Sequence, residues 1–165
     1  MTEIPTNCVF NKGVTGCGAT TLAIKQPGHT ILALPFVGLV ENKAASNPEL
    51  LAIHGGLGKP LERQKMIERY ISTHKTIKIA ATYDCVPSVC EALINLGLDP
   101  YQDFFLFVDE WHVLFNSYGY RDAVKTLLEC SKLFTRKTFV SATPIPRAYW
   151  LKCTGQWKEL RESSC

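Results

Sequence analysis

Three short polar clusters each follow an apolar run, and their residue types suit chemistry on a nucleotide polyphosphate. The first is the glycine-rich segment GVTGCGATT at 13–21, where glycines would let the backbone turn tightly and bring N–H groups close to phosphate oxygens. The second is Asp-Glu-Trp-His at 109–112, and the third is Ser-Ala-Thr-Pro at 141–144. Carboxylate and hydroxyl oxygens such as these suit a hard divalent cation, so the clusters predict a site for phosphates and Mg²⁺.

The glycine-rich segment fits the phosphate-loop pattern G-x-x-x-x-G-K-[ST] at every fixed position except one. Ala19 stands where the pattern has a lysine, and Lys12, directly before the loop, is the candidate to replace its charge. A charge-assisted hydrogen bond is worth roughly 1.5–3 kcal/mol, so its loss would weaken binding without abolishing it. The alternative is a glycine turn with a purely structural role. The expected nucleotide-binding residues are Lys12, Gly13, Val14, Thr15, Gly16, Cys17, Gly18, Ala19, Thr20 and Thr21.

The acids Asp109 and Glu110 follow the most hydrophobic run in the chain, residues 104–108. Acids at the end of an apolar strand are costly unless they meet a cation. Asp109 would hold Mg²⁺ together with the hydroxyl of Thr20, and Glu110 would orient or deprotonate the water that attacks the γ-phosphate. The alternative is that both acids cap the helix that follows. Taken alone, His112 also suits a packed core histidine.

The elements that must position these residues follow from alternating apolar runs and helical patterns. Near-continuous apolar or β-branched runs predict strands at 8–10, 29–34, 50–54, 76–82, 104–108 and 137–140. Helical spacing predicts helices after the loop and at 37–45, 60–74, about 84–96 and 120–134. Strands of this kind imply a mainly parallel sheet covered by helices on both faces. Ligands of such sheets bind at the carboxyl ends of the strands, where all three clusters fall.

The length and composition describe one ordinary domain. The chain has 165 residues, 46% of them hydrophobic and 20% charged, and a net charge of +3, which neither requires nor excludes a nucleic-acid surface. We predict a single domain at 1–150, followed at 151–165 by a C-terminal extension or a truncation remnant. Seven cysteines without a C-x-x-C pair favour buried free thiols in a reducing cytosol over a zinc site. Because no apolar run reaches about 18 residues, we expect a cytoplasmic protein with no membrane partner.

The order and separation of the three clusters resemble the first RecA-like motor domain of the DExH-type superfamily-two helicases and translocases. The resemblance covers about 7–146 and implies a three-layer α/β RecA-like P-loop domain. It implies ATP at the loop, Mg²⁺ at Thr20 and Asp109, and water activation by Glu110. In this family the histidine of the DExH element and the Ser-Ala-Thr element transmit hydrolysis to the movement of nucleic acid, DNA or RNA. The residues that correspond here are His112, expected to be catalytic with Glu110, and Ser141 and Thr143, expected to couple the two events.

Two departures from the family pattern limit this expectation. Ala19 replaces the phosphate-binding lysine, which affects catalysis more than fold. The family also requires a second RecA-like domain, in the same or another chain, which supplies an arginine finger. We therefore expect an N-terminal ATP-binding motor domain of a helicase-type ATPase, inactive as a helicase by itself. The alternatives are a degenerate P-loop domain that serves as a non-catalytic binding module, or part of a DNA-packaging or other translocase ATPase.

Overall fold

The computed structural model describes residues 4–12, 18–113, 121–143 and 158–161, and the last of these ranges only as backbone. In these residues the strands are β1 (Cys8–Asn11), β2 (His29–Leu34), β3 (Leu51–Ile53), β4 (Lys78–Thr82), β5 (Phe104–Asp109), β6 (Arg136–Ser141) and β7 (Lys158–Arg161). The helices are α1 (Ala19–Lys25), α2 (Val37–Ser46), α3 (Pro60–Thr73), α4 (Val86–Asn95), α5 (Pro100–Asp103) and α6 (Arg121–Leu133). Short 3₁₀ turns at Gly55–Leu57 and Tyr83–Cys85 follow β3 and β4.

All strands belong to one sheet, in the order β3-β4-β2-β5-β6-β1-β7, and every neighbouring pair is parallel. The predicted parallel sheet is therefore confirmed. The central strand β5 is buried along its whole length, as the uninterrupted apolar run predicts for a strand covered on both faces.

Alternate residues of the strands point into two separate cores, because side chains alternate between the faces of a sheet. On β5, Leu106 and Val108 join one core, whereas Phe105 and Phe107 join the other. Helices α3, α4 and α6 contribute to the first core, and α1 and α2 contribute to the second. This arrangement is the predicted three-layer architecture.

The strand order places the carboxyl ends of β5, β6 and β1 side by side. Asp109 is paired with Val140 on β6, and Asn11 is paired with Ser141. The register continues past the end of β1, where the backbone N–H of Lys12 donates to the carbonyl of Ser141 at 2.9 Å. The residues that follow the three strands therefore meet at one edge of the sheet.

The structure differs from the sequence prediction at the C-terminal end. No element is predicted within 151–165, yet Lys158–Arg161 forms a strand that pairs in parallel with β1. Its sequence, KELR, has one apolar residue among three charged ones, so neither composition nor alternation indicates a strand. The domain boundary at 150 stays a prediction.

The structure also describes four of the cysteines and the lengths of the helices. Cys8, Cys85, Cys90 and Cys130, the cysteines in the described part of the chain, are free and buried. Within residues 4–12, 18–113, 121–143 and 158–161, no helix combines the length and apolar character that crossing a membrane requires.

Candidate functional site

Asp109, the last residue of β5, lies at the centre of the site and is buried. Its Oδ2 accepts a hydrogen bond from the Thr20 hydroxyl at 2.5 Å. Its Oδ1 accepts from the Lys12 ammonium at 2.8 Å and from the backbone N–H of Glu110 at 2.9 Å. Its backbone carbonyl accepts from the hydroxyl of Tyr83 at 2.5 Å. Asp109 is therefore held by groups that follow three strands and by the first turn of α1.

Thr20 reaches Asp109 because α1 begins at the edge of the sheet. Gly18 precedes this helix with a φ of 84°, a left-handed conformation in which a side chain would be strained. Apart from its chain neighbours, no atom of the described residues lies within 4 Å of where its Cβ would be, so the backbone conformation is what favours glycine here. Ala19 and Thr20 are buried in the first turn, and Thr21 is exposed.

Glu110 leaves the strand in a left-handed conformation with a φ of 54°. Such a conformation is strained in a residue other than glycine and persists where the surroundings impose it. Trp111 supplies part of that restraint, because its backbone N–H donates to the Val140 carbonyl at 3.2 Å and its ring is buried against Phe139. The turn sends the Glu110 side chain back to the site, where Oε1 accepts from the Lys12 ammonium at 2.8 Å.

Lys12 therefore bridges both acids, and only 6% of its side chain is exposed. Burial lowers the pKa of an ammonium, but the hydrogen bonds and charges of Asp109 and Glu110 outweigh burial here and raise the pKa of Lys12. Lys12 is charged at neutral pH. The same acids, after burial, contribute to the raised pKa of Tyr83, whose hydroxyl stays protonated.

A second chain of contacts runs from Glu110 to Thr143. His112 Nδ1 lies 3.3 Å from Glu110 Oε2 and 2.7 Å from the Ser141 hydroxyl oxygen. That oxygen also accepts from the Thr143 backbone N–H and donates to the Thr143 carbonyl, both at 3.0 Å. The donor and acceptor roles in the contact between His112 Nδ1 and the Ser141 hydroxyl depend on the tautomer of the imidazole.

The site opens into a cavity of about 340 Å³. The residues that line it are Lys12, Gly18, Ala19, Thr20, Thr21, Leu34, Leu39, Lys43, Asp109 and Glu110. Sequence reasoning predicts all of these except Leu34, Leu39 and Lys43. Lys43 lies on α2, and the helical pattern of α2 contains no motif that would assign it to a site.

The structure brings together the described members of the predicted site. Lys12, Thr20 and Asp109 share the hydrogen bonds given above, and Glu110, His112, Ser141 and Thr143 form the adjoining chain. The loop residues Gly13, Val14, Thr15, Gly16 and Cys17 lie outside the described residues. Lys25 lines a different cavity of about 510 Å³ near the amino ends of β5 and β6, away from the acids.

The donor set fits a magnesium ion that shares its coordination with phosphate. Mg²⁺ is usually bound by one or two carboxylates together with substrate phosphates and water, and the Asp109 carboxylate and Thr20 hydroxyl supply oxygens of the right kind. The Asp109 and Glu110 carboxylates already neutralise one cation, the Lys12 ammonium. Among the described residues, no group of three or more His, Cys, Asp and Glu side chains could hold a metal without such help.

An all-parallel sheet between two helical layers, with an acid pair at the carboxyl end of its central strand, defines an α/β domain of the RecA-like type. Solved helicase structures share this fold. The chain matches the helicase domain of Pyrococcus furiosus Hef with a TM-score of 0.58 and 20% identity, over 96% of this chain and 36% of that one. It matches a hypothetical ATP-dependent RNA helicase from Sulfolobus tokodaii with a TM-score of 0.61 and 18% identity, over 93% and 47%.

A DEAD box protein from Methanococcus jannaschii is similar to the same degree, with a TM-score of 0.58, 18% identity and coverage of 93% and 45%. By sequence, the chain matches no family model and no curated protein. It spans less than half the length of these solved structures. The comparisons therefore establish a RecA-like fold of the kind found in helicase domains.

Proposed function

We propose that this chain is the N-terminal ATP-binding motor domain of a DExH-type helicase ATPase that acts on nucleic acid. The contact between the Thr20 hydroxyl and the buried Asp109 carboxylate carries the proposal. It joins a residue of the glycine-rich segment, in the first turn of α1, to the acid that ends the central strand, and the Lys12 ammonium donates to that same acid. The fold shared with helicase domains supports the same interpretation.

In this proposal the cavity holds the terminal phosphates of ATP. Thr20 and Asp109 would hold Mg²⁺, which when bound would neutralise charge on the phosphate oxygens. Glu110 would orient or deprotonate the attacking water, since it lines the cavity beside Asp109. Residues 13–17 would wrap the phosphates with backbone N–H groups.

The sequence makes Lys12 a candidate for the charge that Ala19 lacks. Its ammonium lines the cavity but is bound to Asp109 and Glu110 at 2.8 Å each. We infer that Lys12 balances the two acids while no nucleotide is bound. Without that ammonium, two adjacent carboxylates at a buried edge would repel each other and an incoming polyphosphate.

The chain from Glu110 through His112 and Ser141 to Thr143 would couple the state of the nucleotide to nucleic acid. A shift of the Glu110 carboxylate would alter the His112 hydrogen bond and so reach the turn after β6. A second RecA-like domain, in this or another polypeptide, would complete the motor with an arginine finger. The chain by itself is expected not to unwind nucleic acid.

Calorimetric titration with ATP and Mg²⁺ tests the nucleotide site in the wild type, Thr20→Ala and Ala19→Lys. We expect weak binding by the wild type, loss of binding in Thr20→Ala because the oxygen beside Asp109 is removed, and tighter binding in Ala19→Lys. Thr21→Ala is the matched control, since Thr21 is the exposed neighbour in the same turn. Failure of the wild type and of Ala19→Lys to bind would contradict the proposal.

A non-catalytic binding module is the second candidate. It is favoured by Ala19 and by the ion pairs that one oxygen of each carboxylate, Asp109 and Glu110, forms with Lys12. Phosphate release from ATP in the wild type and in Glu110→Gln separates the two candidates. Mg²⁺-dependent turnover that Glu110→Gln abolishes would exclude the binding module. A packaging or translocase motor would behave like the helicase ATPase in this assay.

A further inference from the structure

Lys43 is a second cation at the cavity, contributed by α2 and not by any of the sequence motifs. It is half-buried, and in the described part of the chain its ammonium forms no ion pair or hydrogen bond. Its backbone is well fixed, because the Asn47 side-chain amide donates to the Lys43 carbonyl at 2.8 Å and closes the last turn of α2.

Two residues on one face of α2 turn towards the cavity. Leu39 and Lys43 both line it, and residues four apart lie one above the other on a helix. The helix is fixed in this orientation by Val40, which is buried in the same core as Ala23 and Ile24 of α1. Lys43 therefore faces the cavity as a consequence of how α2 packs against the sheet.

The charge balance of the cavity makes Lys43 different from Lys12. The charged lining residues that the structure describes are Lys12, Lys43, Asp109 and Glu110. The Lys12 ammonium is engaged by both acids at 2.8 Å, and the acids hold it in the charged form. A polyphosphate entering the cavity would meet one cation, in the described lining, that is not already paired with a carboxylate, and that cation is Lys43.

We propose that Lys43 supplies the positive charge to the terminal phosphates of the nucleotide that Ala19 cannot supply. The inference rests on the proposed function and assigns a residue to its site. A lysine on a helix can take this part because its ammonium is a compact charge on a long flexible stem. Ala19 and Lys43 line the same cavity, so Lys43 would act in the cavity that a lysine at position 19 would also line.

The test compares affinities for ATP and AMP, each with Mg²⁺, by calorimetry. Lys43→Gln removes the charge and is expected to weaken ATP binding about ten- to a hundredfold, the loss of one charge-assisted hydrogen bond. AMP lacks the terminal phosphates, so its affinity should change less than about twofold, within the effect of a surface substitution. Lys43→Arg should retain ATP binding. Lys25→Gln is the matched control, because Lys25 lines the other cavity.

The double variant Lys43→Gln with Ala19→Lys should recover the lost affinity by returning a charge from the loop. Unchanged ATP affinity in Lys43→Gln, with binding by the wild type, would overturn this inference and leave the proposed function intact. Equal weakening of AMP and ATP would also overturn it. Absence of ATP binding by both the wild type and Ala19→Lys would overturn the proposed function, and this inference with it.

Discussion

Two buried lysines lie at opposite edges of the same sheet, and they differ in what surrounds the charge. Lys12 follows β1 at the carboxyl edge, is 6% exposed, and donates to two carboxylates at 2.8 Å. Lys78 begins β4 at the amino edge, is 5% exposed, and donates to the Gln26 carbonyl at 2.7 Å and the Thr30 hydroxyl at 2.9 Å. Because the two lysines are buried to nearly the same extent, any difference between their pKa values must come from the neighbouring groups.

The pKa values of the two lysines move in opposite directions. Burial lowers the pKa of Lys78 to about 8, with a smaller contribution from the charge of Glu49 in the other direction. The acids at the other edge reverse the effect of burial and raise the pKa of Lys12. The amino edge therefore accommodates a lysine with neutral partners, whereas the carboxyl edge concentrates opposite charges. That concentration is what a site for a cation and a polyphosphate requires.

The largest expected effect is on stability, when each lysine is replaced by methionine. Lys12→Met leaves two neighbouring acids without their cation, and removing one partner of a buried pair costs about 3–5 kcal/mol. Lys78→Met leaves two neutral acceptors and removes a charge that burial disfavours, so we expect a loss below about 2 kcal/mol. Urea unfolding at pH 7 measures both. A larger loss of unfolding free energy for Lys78→Met than for Lys12→Met would contradict this expectation.

The second expected effect is on the pH dependence of stability, which should differ between Lys78 and Lys12. Below about pH 8 Lys78 is charged in the folded and the unfolded chain, and from there to 10.5 the unfolded chain binds more protons. The free energy of unfolding should therefore rise across this range by up to about 3 kcal/mol. Lys12 contributes stability that is fully present below pH 10.5, its ordinary pKa, and is lost only as pH rises through its raised pKa.

Unfolding of the wild type and of both methionine variants between pH 7 and about 10.5 measures this difference. The stability of the wild type relative to Lys78→Met should increase with pH, and its stability relative to Lys12→Met should stay constant. Titration of the cysteines and tyrosines cancels in each difference. A constant difference between the wild type and Lys78→Met would show that the neutral edge does not disfavour the charge.

The smallest expected effects come from the two threonines beside the lysines. Thr20 donates to Asp109 at 2.5 Å, and Thr30 accepts from Lys78 at 2.9 Å. Replacement of either by valine should cost about 1.5 kcal/mol, the lower end of the range for a hydrogen bond to a charged group. Only Thr20→Val should lower the affinity for ATP with Mg²⁺. An equal loss of affinity in Thr30→Val, measured by the same titration, would place the effect outside the carboxyl edge.

Much of the fold could be predicted from the sequence, because β5 and its neighbours are strongly apolar and apolar residues recur at helical spacing in the segments between them. The meeting of Thr20, Asp109 and Ser141 at one edge followed from the parallel arrangement alone. Their roles stay predictions. The order of the strands, which makes β5, β6 and β1 neighbours, depends on packing between distant residues that no local pattern encodes.

Other features had no local signal. The strand Lys158–Arg161 is mostly charged, and its pairing with β1 is a long-range interaction. Lys43 is one of many lysines on a helix, and only the packing of α2 turns it towards the cavity. Lys12 was predicted as a substitute cation, but its bridge to both acids depends on the left-handed turn at Glu110, which is not a glycine position. These are tertiary effects.

The central claim is that the carboxyl edge of the sheet binds the phosphates of a nucleotide. Backbone amide NMR spectra of the ¹⁵N-labelled chain, recorded as ATP with Mg²⁺ is added, test it most directly. We expect saturable shifts that are largest at Gly18, Thr20 and Glu110, with Thr30 and Lys78 unchanged. Shifts centred on the amino edge, or no shift at the carboxyl edge in the wild type and in Ala19→Lys, would contradict it.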